Sequence, residues 1–489
     1  MQNRVFRGSR TAMYTDLRNW MDQVDSWGEL RRFENVDWNL EMGGIADLAY
    51  RKASGVRPAV LFDHIKGYPD GYRALFNQLG SPKRLALTMG MRTDYSTLMD
   101  FVQGVRERIR EIKFIPPKRV PTGPVMENVV TGEGVDLYRF PVPFFHEKDG
   151  GRYFGTGHVV IMKDPESGWV NLGTYRMMVH DPQTLGIYIS PGKHGDLLRQ
   201  RYLERKERIP VAVAVGCDPA LWLASTMEVP LGVSEYDYAG GLKGEPIEVI
   251  EGKSTGLPVP AHCEIALEGE LDPSDNRMEG PFGEWPGYYA GCSREEPVFK
   301  VHSIMFRNDP ILSCAPPNRP PDETSFHRCV MRSAMIWDDL EKVGVPNVRG
   351  VWCHEAGGSR LLTVVSIKQA FAGHAKQAAL IASQCRPGAY LGRFVVVVDE
   401  DIDPSDTYDM LWAMVTRTDP EKDIDIVRQA WSSKADPLIH KSSRVYYNSR
   451  AIINACRPYE WMDDFPAVSA TSPELEAKLV EKYGGKIYE

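Results

Sequence analysis

The chain has 489 residues, of which 43% are hydrophobic and 25% charged, and its formal net charge is -8. This length predicts two or three domains with separate cores, and the acidic balance argues against nucleic acid as a general partner. No apolar run approaches the roughly 20 residues that a membrane helix needs, so no membrane partner is expected.

The cysteines and the N-terminus indicate the compartment. Eight cysteines are scattered between Cys217 and Cys456 without any CxxC pair. The N-terminus carries basic residues but no apolar segment of the kind that directs secretion. We therefore expect free core cysteines, rather than a disulfide framework or a zinc site, and a cytoplasmic location.

The first region is predicted to contain helices. "TDLRNWMDQVDSWGEL" and the charged run from Asp94 to Lys113 both show helical patterns. The segment "KFIPPKRVPTGP" then brings several prolines and a glycine close together. It is predicted to be a linker that ends this region.

From about residue 119 to 320 the pattern changes to short β-rich segments separated by turns. The clearest are "GHVVIM" (157–162), "VAVAVG" (211–216), "CEIALEGEL" (263–271) and "VFKVHSIMF" (298–306). Such spacing predicts a barrel or a sandwich.

The remaining third is predicted to be an α/β layer arrangement that follows one long helix, from Ser325 to Val343. "LLTVVSIK" and "RFVVVVDEDID" are predicted strands, and "HAKQAALIASQ" is a predicted helix. Another helix is expected to begin near Ser405. A final one is expected with Ser472 as its cap and Pro473 in its first turn.

Two carboxylates lie five residues apart in "EGPFGEWPGYYAG" (279–291), on a frame of glycine and proline that fits neither helical nor strand spacing. In a shielded site Glu279 and Glu284 could not both ionise cheaply, so one would hold a proton near neutral pH. A neighbouring arginine would decide which one stays charged. This arrangement suits a general acid that protonates a carbanion-like intermediate. The alternative is a turn whose carboxylates face water.

Three further side chains form a candidate metal site. "NLGTYRMMVHD" (171–181) and "SPGKHGDLL" offer Asn171 and His194, together with Arg176, and "PLGVSEYDYAGGL" (230–242) offers Glu235. An amide oxygen, a histidine and a carboxylate can hold a divalent cation and leave positions for phosphate oxygens. From spacing alone, such a glutamate is more often solvated or capping, and such a histidine is more often a loop residue.

Several common enzyme motifs are absent from the sequence. There is no GxGxxG opening a helix after a strand, no GxxxxGK[ST] phosphate loop and no GxSxG elbow. A serine hydrolase of the elbow type is therefore not expected.

Taken together, the segments resemble the UbiD family of reversible decarboxylases, which use prenylated FMN. The resemblance is carried, in the family's order, by "NLGTYR", "SEYDYAGGL", "EGPFGEWPGYY", "RPPDE", "GHAKQ", "VVVVDEDIDP" and "LWAMVTRTDP". It implies a mixed α/β and β multidomain fold. The implied parts are an N-terminal α/β domain (1–118), a central flavin-reductase-like split β-barrel that binds prenylated FMN (119–324), a connecting helix (325–345) and a C-terminal α/β oligomerisation domain with a terminal helix (346–489).

The resemblance also implies the chemistry. It implies reversible, non-oxidative decarboxylation of an aromatic or heteroaromatic carboxylic acid through a covalent adduct with prenylated FMN. The family's catalytic Glu-Arg-Glu trio matches Glu279, Arg176 and Glu284. Glu284 would then be the proton donor, and Arg176 and Glu279 would form the supporting ion pair.

The family's cofactor and ion sites can be carried over residue by residue. A divalent ion, Mn²⁺ or Mg²⁺, would bridge the cofactor phosphate to Asn171, His194 and Glu235. A monovalent ion, K⁺, would be held by backbone carbonyls of Ala224, Ser225 and Met227, again with Glu235. The expected cofactor-lining residues are Asn171, Leu172, Gly173, Thr174, Tyr175, Arg176, Lys193, His194 and Glu235.

This sequence departs from the family's pattern mainly in the expected substrate pocket. His327, Arg328 and His440 are polar in regions expected to approach the substrate, which favours a hydroxylated aromatic or nitrogen-heteroaromatic acid. The alternative is that these histidines are supporting or surface groups. A flavin prenyltransferase is the expected cofactor supplier, and the expected assembly is a homodimer or homohexamer.

Two other functions stay open at this point. One is an ordinary FMN-dependent oxidoreductase on a flavin-reductase-like barrel, which would not need the glutamate pair. The other is a non-catalytic cofactor-binding subunit of a carboxylase complex, which would not need Glu284.

Overall fold

The computed structural model describes residues 14–227 and 229–487, with the side chains of Pro273 and Ile487 left out. Residues 1–13, where no secretory signal is expected, lie outside the described residues. The described residues form four sheets. Within them, no helix is both long enough and apolar enough to cross a membrane.

The N-terminal region packs helices against a small sheet. Its elements are α1 (Leu17–Ser26), β1 (Leu30–Glu34), α2 (Glu41–Arg51), β2 (Ala59–Asp63), β3 (Arg73–Phe76), α3 (Pro82–Thr88) and α4 (Leu98–Glu111). Helix α1 follows the predicted pattern, because Asp16 caps its first turn and Leu17, Trp20 and Val24 are buried on one face. Helix α4 is shorter than the predicted run, because the Thr97 side chain caps it by accepting from Asp100 N at 3.0 Å.

The central region contains most of the strands. Its elements are β4 (Lys118–Arg119), β5 (Asn128–Thr131), β6 (Tyr153–Gly155), β7 (His158–Lys163), β8 (Val170–Gly173), β9 (Met177–Asp181), β10 (Thr184–Ile187), α5 (His194–Arg205), β11 (Ile209–Val215), α6 (Pro219–Ser225), α7 (Glu235–Lys243), β12 (Glu248–Glu251), β13 (Pro258–Pro260), β14 (Ile265–Glu279), β15 (Arg294–Phe306) and β16 (Ile311–Cys314).

Nine of these strands form one curled antiparallel sheet. Its order is β6-β9-β10-β15-β14-β11-β7-β8, and β5 also pairs with β15. Strand β11 is buried along almost its whole length, as expected for a strand covered on both faces. This half-barrel, between α/β regions, confirms the predicted fold class.

Two features differ from the expectations for this region. The segment predicted as a linker contains β4, which pairs in parallel with β12, so that prediction is wrong for Lys118 and Arg119. Pairing with a strand about 130 residues away leaves no mark in the local sequence. Strand β16 completes the N-terminal sheet in the order β1-β2-β3-β16, from within the range assigned to the central domain. The proposed domain boundaries stay a prediction.

A buried helix, α8 (Glu323–Lys342), joins the regions. It begins two residues before the predicted start, because Asp322 and Ser325 form a reciprocal capping box there. It packs against α4, and Arg106 of α4 pairs with Asp338 of α8 at 2.8 Å.

The C-terminal region alternates strands and helices, as predicted. Its elements are β17 (Val348–Cys353), β18 (Leu362–Ile367), α9 (His374–Gln384), α10 (Arg386–Ala389), β19 (Phe394–Asp399), α11 (Thr407–Arg417), β20 (Ile424–Trp431), β21 (Tyr447–Ala455) and α12 (Pro473–Ile487). The sheet order is β17-β18-β19-β21-β20, with a parallel centre and antiparallel edges. Asp406 caps α11, one residue after the predicted Ser405. Ser472 accepts from Leu475 N at the start of α12.

Candidate active site

Arg176 lies between two carboxylates. It follows β8, and its Nε and Nη2 atoms donate to the two oxygens of Glu279 at 2.9 and 2.8 Å. Its Nη1 atom donates to Glu284 Oε1 at 3.0 Å. The guanidinium of Arg176, which we call the arginine fork, therefore holds Glu279 with two hydrogen bonds and Glu284 with one.

The backbone positions the two carboxylates differently, which corrects the expectation that neither fits a strand. Glu279 is the last residue of β14 and its side chain is fully buried. Glu284 stands in an isolated bridge, where its N–H donates to Tyr288 O at 2.9 Å and its carbonyl accepts from Gly287 N. Between the two, Gly280 has φ +82°, in the region that favours glycine. The segment therefore leaves the sheet and returns with Glu284 facing Arg176.

Burial and nearby charges shift the pKa values of Glu284 and Arg176. Burial raises the pKa of Glu284, although the charges of Arg176 and Arg294 oppose that rise. Burial acts to lower the pKa of Arg176, but the charge of Glu279 and the hydrogen bonds to it outweigh burial and raise it. Arg176 therefore stays charged, and Glu284 retains a proton more readily than a glutamate in water does.

Aromatic rings surround this ion pair. Tyr153 donates its hydroxyl to Glu279 Oε1 at 2.9 Å, and its ring stacks on Phe282 with centroids 3.8 Å apart. Tyr188 lies under the guanidinium of Arg176, 4.9 Å from its ring centroid, and under that of Arg294 at 3.8 Å. The apolar walls remove water from the ion pair, which strengthens it.

The C-terminal region reaches this site through Trp285, the neighbour of Glu284. The Trp285 ring lies against Gly358, where an added Cβ would be 2.8 Å from Cζ3. Arg360 lies over the Trp285 ring at 5.8 Å and over the Tyr390 ring at 5.0 Å. The residue that follows the acid is thus packed against the C-terminal region.

The predicted divalent-ion residues lie on three neighbouring elements. Asn171 of β8 donates to Glu235 Oε1 at 3.1 Å, and Leu172 N donates to Glu235 Oε2 at 2.7 Å. His194 is the first residue of α5, and its ring lies edge-on to Trp169 at 5.3 Å. Tyr175 links the two segments, since its hydroxyl accepts from Gly195 N at 3.0 Å.

This donor set fits a cation. Asn171 Oδ1 is buried and has no hydrogen-bond partner among the described residues. Burial raises the pKa of Glu235 to about 7. In the described ranges no three His, Cys, Asp or Glu side chains converge as a metal site. The predicted set has only two ligands of those types, so the amide oxygen of Asn171 is essential to it.

The predicted monovalent-ion residues lie at the end of α6. Ala224 and Ser225 are its last two residues, and Met227 N donates to Ala224 O at 3.1 Å in the turn that follows. Helix α6 packs against α7, whose first residue is Glu235. The segment is therefore held beside the helix that carries the shared carboxylate.

Comparisons with known proteins identify the family of this chain. Three UbiD family models match the chain: the N-terminal domain of 3-octaprenyl-4-hydroxybenzoate carboxy-lyase at residues 21–102, its Rift-related domain at 118–320 and its C-terminal domain at 325–455. The chain belongs to the UbiD family. The resemblance inferred from the motifs is confirmed.

Similar proteins within the family act on aromatic or heteroaromatic acids. A pyrrole-2-carboxylic acid decarboxylase of Pseudomonas aeruginosa is 34% identical over 480 residues, which covers 95% of each chain. The UbiD-class enzyme HmfF of Pelotomaculum thermopropionicum, solved with FMN, is 29% identical with a TM-score of 0.84, covering 96% of this chain and 99% of that one. An evolved dimeric form of HmfF was solved with prFMN; it is 27% identical with a TM-score of 0.81, covering 96% of this chain and 99% of that one.

A third similar structure is the vanillic acid decarboxylase of Sedimentibacter hydroxybenzoicus in its open form. It is 26% identical with a TM-score of 0.83, and the match covers 97% of this chain and all of that one. The UbiD fold thus extends over nearly the whole chain.

The two histidines predicted for the substrate pocket of this UbiD protein lie in different surroundings. His327 is buried in α8 against Trp222, and burial lowers its pKa to about 3, so it is neutral. Its neighbour Arg328 is partly buried, and burial lowers its pKa. His440 is exposed and lines a cavity together with Arg294. The positive charge of Arg294 acts to lower the pKa of Glu284.

Several residues of the site were missed by the sequence analysis. Tyr153, Tyr188, Arg294 and Arg360 all lie next to the trio or to Trp285, yet none belongs to a motif that could be read from spacing. In the sequence, the turn "EAGGSR" (355–360) shows only as a glycine-containing segment. Its role in packing against Trp285 depends on a contact across some 70 residues, which no local pattern reports.

Proposed function

We propose that this UbiD protein catalyses the reversible, non-oxidative decarboxylation of an aromatic or heteroaromatic carboxylic acid, with prenylated FMN as its cofactor. The observation that carries this proposal is the arginine fork, in which Arg176 holds buried Glu279 with two hydrogen bonds and Glu284 with one. The decarboxylase relatives and the FMN and prFMN complexes of HmfF support it.

The residues of the chain have separate roles in this proposal. Glu279 keeps Arg176 charged and oriented, so that the guanidinium can attract the carboxylate of the substrate. Glu284, with its raised pKa, holds a proton and delivers it to the carbon from which carbon dioxide has left. When bound, prenylated FMN supplies the carbon centre that bonds the substrate and accepts the electron pair as carbon dioxide leaves.

The cofactor would be held through its phosphate. We propose that Asn171, His194 and Glu235 hold Mn²⁺ or Mg²⁺ at this phosphate, and that the carbonyls of Ala224, Ser225 and Met227, with Glu235, hold K⁺. The unpaired amide oxygen of Asn171 supports the first site. The proposed lining of the cofactor is the segment 171–176 together with Lys193, His194 and Glu235.

We further propose that the substrate is a planar acid with a polar ring group, either a hydroxyl or a ring nitrogen. The relatives that act on pyrrole-2-carboxylic acid and vanillic acid support this class. His440 also supports it, because it lines the cavity beside Arg294 and its imidazole, whose Nδ1 pairs with Ser442 Oγ at 2.8 Å, adds a polar group there. A flavin prenyltransferase would supply the cofactor, and the assembly would be a homodimer or homohexamer.

The test is to co-express the chain with a flavin prenyltransferase and to analyse the released cofactor by absorbance and intact mass. The loaded protein is then offered a panel of aryl acids that includes pyrrole-2-carboxylate, vanillate and cinnamate. Bound prenylated FMN with fastest turnover of a polar-ring acid is the expected result. Ordinary FMN with a normal yellow spectrum would instead indicate an oxidoreductase. Bound prenylated FMN without turnover of any acid would indicate a non-catalytic subunit.

A further inference from the structure

A cavity opens between the half-barrel and a loop of the C-terminal region. Its lining includes Gly291, Cys292 and Arg294, at and before the start of β15, and Lys434, His440 and Lys441, between β20 and β21. We call Arg294, Lys434, His440 and Lys441 the basic mouth. No acidic residue lines this cavity in the described part of the chain.

The basic mouth adjoins the proposed proton donor. A Cβ placed on Gly291 would lie 3.4 Å from Glu284 Oε1. Arg294 stacks on Tyr188, and Tyr188 in turn lies under Arg176. Gly291 therefore lines this cavity and also lies beside Glu284.

The positive charge of the mouth is largely uncompensated. Lys434 and Lys441 are exposed and form no ion pair among the described residues, although Lys434 lies 5.6 Å from the Tyr446 ring centroid. The nearby carboxylate of Asp436 is already paired with Arg393 at 2.6 Å. Arg294 is the exception, since it pairs with Glu296.

This local charge contrasts with the whole molecule. The chain carries a formal net charge of -8, so its average field repels an anion. A cleft with charge of the opposite sign raises the local concentration of an anionic substrate and its rate of association. Such an effect weakens with salt, because the Debye length is about 10 Å at 0.1 M.

We propose that the basic mouth is the entrance through which the acid substrate, as its carboxylate anion, reaches Glu284, and that Lys434 and Lys441 attract it. The identity of the anion as the substrate rests on the proposed function. The attraction of anions to the mouth does not, and it can be measured without cofactor or turnover.

The first test is kinetic and uses the cofactor-loaded enzyme. Lys434→Gln with Lys441→Gln should lower kcat/KM about three- to tenfold at low salt and reduce its dependence on salt, while kcat changes much less. The control is Lys52→Gln with Lys253→Gln, since both lysines are exposed and form no ion pair among the described residues. A kcat/KM that is parent-like and equally sensitive to salt in the mouth variant overturns the proposal.

The second test uses Cys292 as a probe of the local potential. It is exposed, whereas the other seven of the eight cysteines, all in the described part of the chain, are buried or half-buried. The rates of its alkylation by anionic iodoacetate and neutral iodoacetamide are compared by mass spectrometry on the full chain. Their ratio cancels changes in thiol reactivity and access that affect both reagents alike.

We expect the iodoacetate-to-iodoacetamide ratio to fall at least twofold in the Lys434→Gln, Lys441→Gln variant and also in 0.5 M salt. It should be unchanged in the Lys52→Gln, Lys253→Gln control. A parent-like ratio in the mouth variant overturns the inference even if the enzyme is active. A ratio that falls as expected, without decarboxylation of any acid, supports the anion-attracting mouth and overturns the proposed function instead.

Discussion

Glu284 owes its proposed role to two opposing influences on its pKa. Burial raises the pKa, and the positive charges of Arg176 and Arg294 lower it again. A carboxyl in this balance holds its proton more readily than one in water and can still release it when a carbanion forms beside it. Glu279 differs in its contacts, because its side chain is fully buried and accepts two hydrogen bonds from Arg176.

Glu284→Gln should therefore lose at least the roughly 10²–10⁴-fold that general acid catalysis contributes. The amide keeps the size of the side chain but has no acidic proton, so prenylated FMN should still bind. Turnover and deuterium incorporation into the product are the measurements, with Glu279→Gln for comparison. The second variant should also lose turnover, but with an altered flavin spectrum, because Arg176 would lose its main partner. A Glu284→Gln enzyme within a few-fold of the parent at full cofactor occupancy would show that another group is the acid.

His194→Ala tests the divalent site separately from folding. His194 is the first residue of α5 and its half-buried ring lies edge-on to Trp169, so its loss should change the melting temperature much less than the flavin content. It should remove most of the bound Mn²⁺ and flavin, because one of three proposed protein ligands is lost. Metal analysis and flavin absorbance are the measurements. Flavin occupancy equal to that of the parent, with manganese absent, would contradict the metal bridge.

At the scale of elements, the turn at 355–360 packs the C-terminal region against Trp285, the residue that follows Glu284. Gly358 has φ +56°, and an added Cβ would collide with the Trp285 ring. Gly358→Ala should displace Trp285, and with it Glu284, so we expect kcat to fall at least tenfold with cofactor still bound.

Gly344→Ala is the matched control for this change. Gly344 has φ +88° but no atom within 4 Å of an added Cβ, so its alanine variant carries the backbone strain without the collision. It should lose some stability, as Gly358→Ala also should, but it should keep its kcat. Equal values of kcat in the two variants would mean that strain alone, and not the contact with Trp285, matters.

The start of α8 predicts a dependence of stability on pH. Glu323 is buried there and accepts from Asn77 N at 2.7 Å and Leu79 N at 3.2 Å, yet burial raises its pKa to about 8. Because the folded pKa lies above the unfolded one, this carboxyl favours the folded state at low pH. That contribution is lost as the pH rises from about 4.5 through about 8.

We expect the free energy of unfolding of the parent to fall between pH 5.5 and 8, by up to roughly 3 kcal/mol from this one group. Glu323→Gln should remove most of that fall, as measured by urea unfolding at each pH. Glu474→Gln is the control, since Glu474 also lies in the first turn of a helix but is exposed. An identical pH dependence in the parent and in Glu323→Gln would contradict this prediction.

At the scale of the whole molecule, a small polar cluster joins the three regions. Glu355 of the C-terminal region pairs with Arg57 of the N-terminal region at 2.7 Å and accepts from Ser325 of α8 at 3.1 Å. Contacts of Glu355 therefore link the N-terminal region, helix α8 and the C-terminal region, the last of which contributes residues to the basic mouth.

Helix α12 is left largely uncovered by the other described residues. Its residues are exposed almost throughout, and Leu475, Leu479, Val480 and Tyr483 are each at least 37% exposed. If the chain assembles as proposed, we expect a second copy to cover this apolar stripe. Ending the chain after residue 471 should lower the mass of the assembly in light scattering while circular dichroism changes only by one helix. An unchanged mass would place the contact elsewhere.

Much of this protein was determined by its sequence alone. The types of most elements were predictable, because β11, β19 and α9 are built from local runs and periodicities. The family followed from the order of seven motifs, and the trio of Arg176, Glu279 and Glu284 followed from the family. The hydrogen bonds of that trio, which span 103 and 108 residues, were only implied.

Only the tertiary structure decided how these parts act together. Strand β14 runs on to Glu279, β4 joins β12 out of an apparent linker, and Gly358 meets Trp285. The basic mouth combines a strand start of the half-barrel with a loop some 140 residues later. Each of these depends on contacts between residues far apart in the chain. Such contacts are selected by packing of the whole molecule and leave no periodicity in the local sequence.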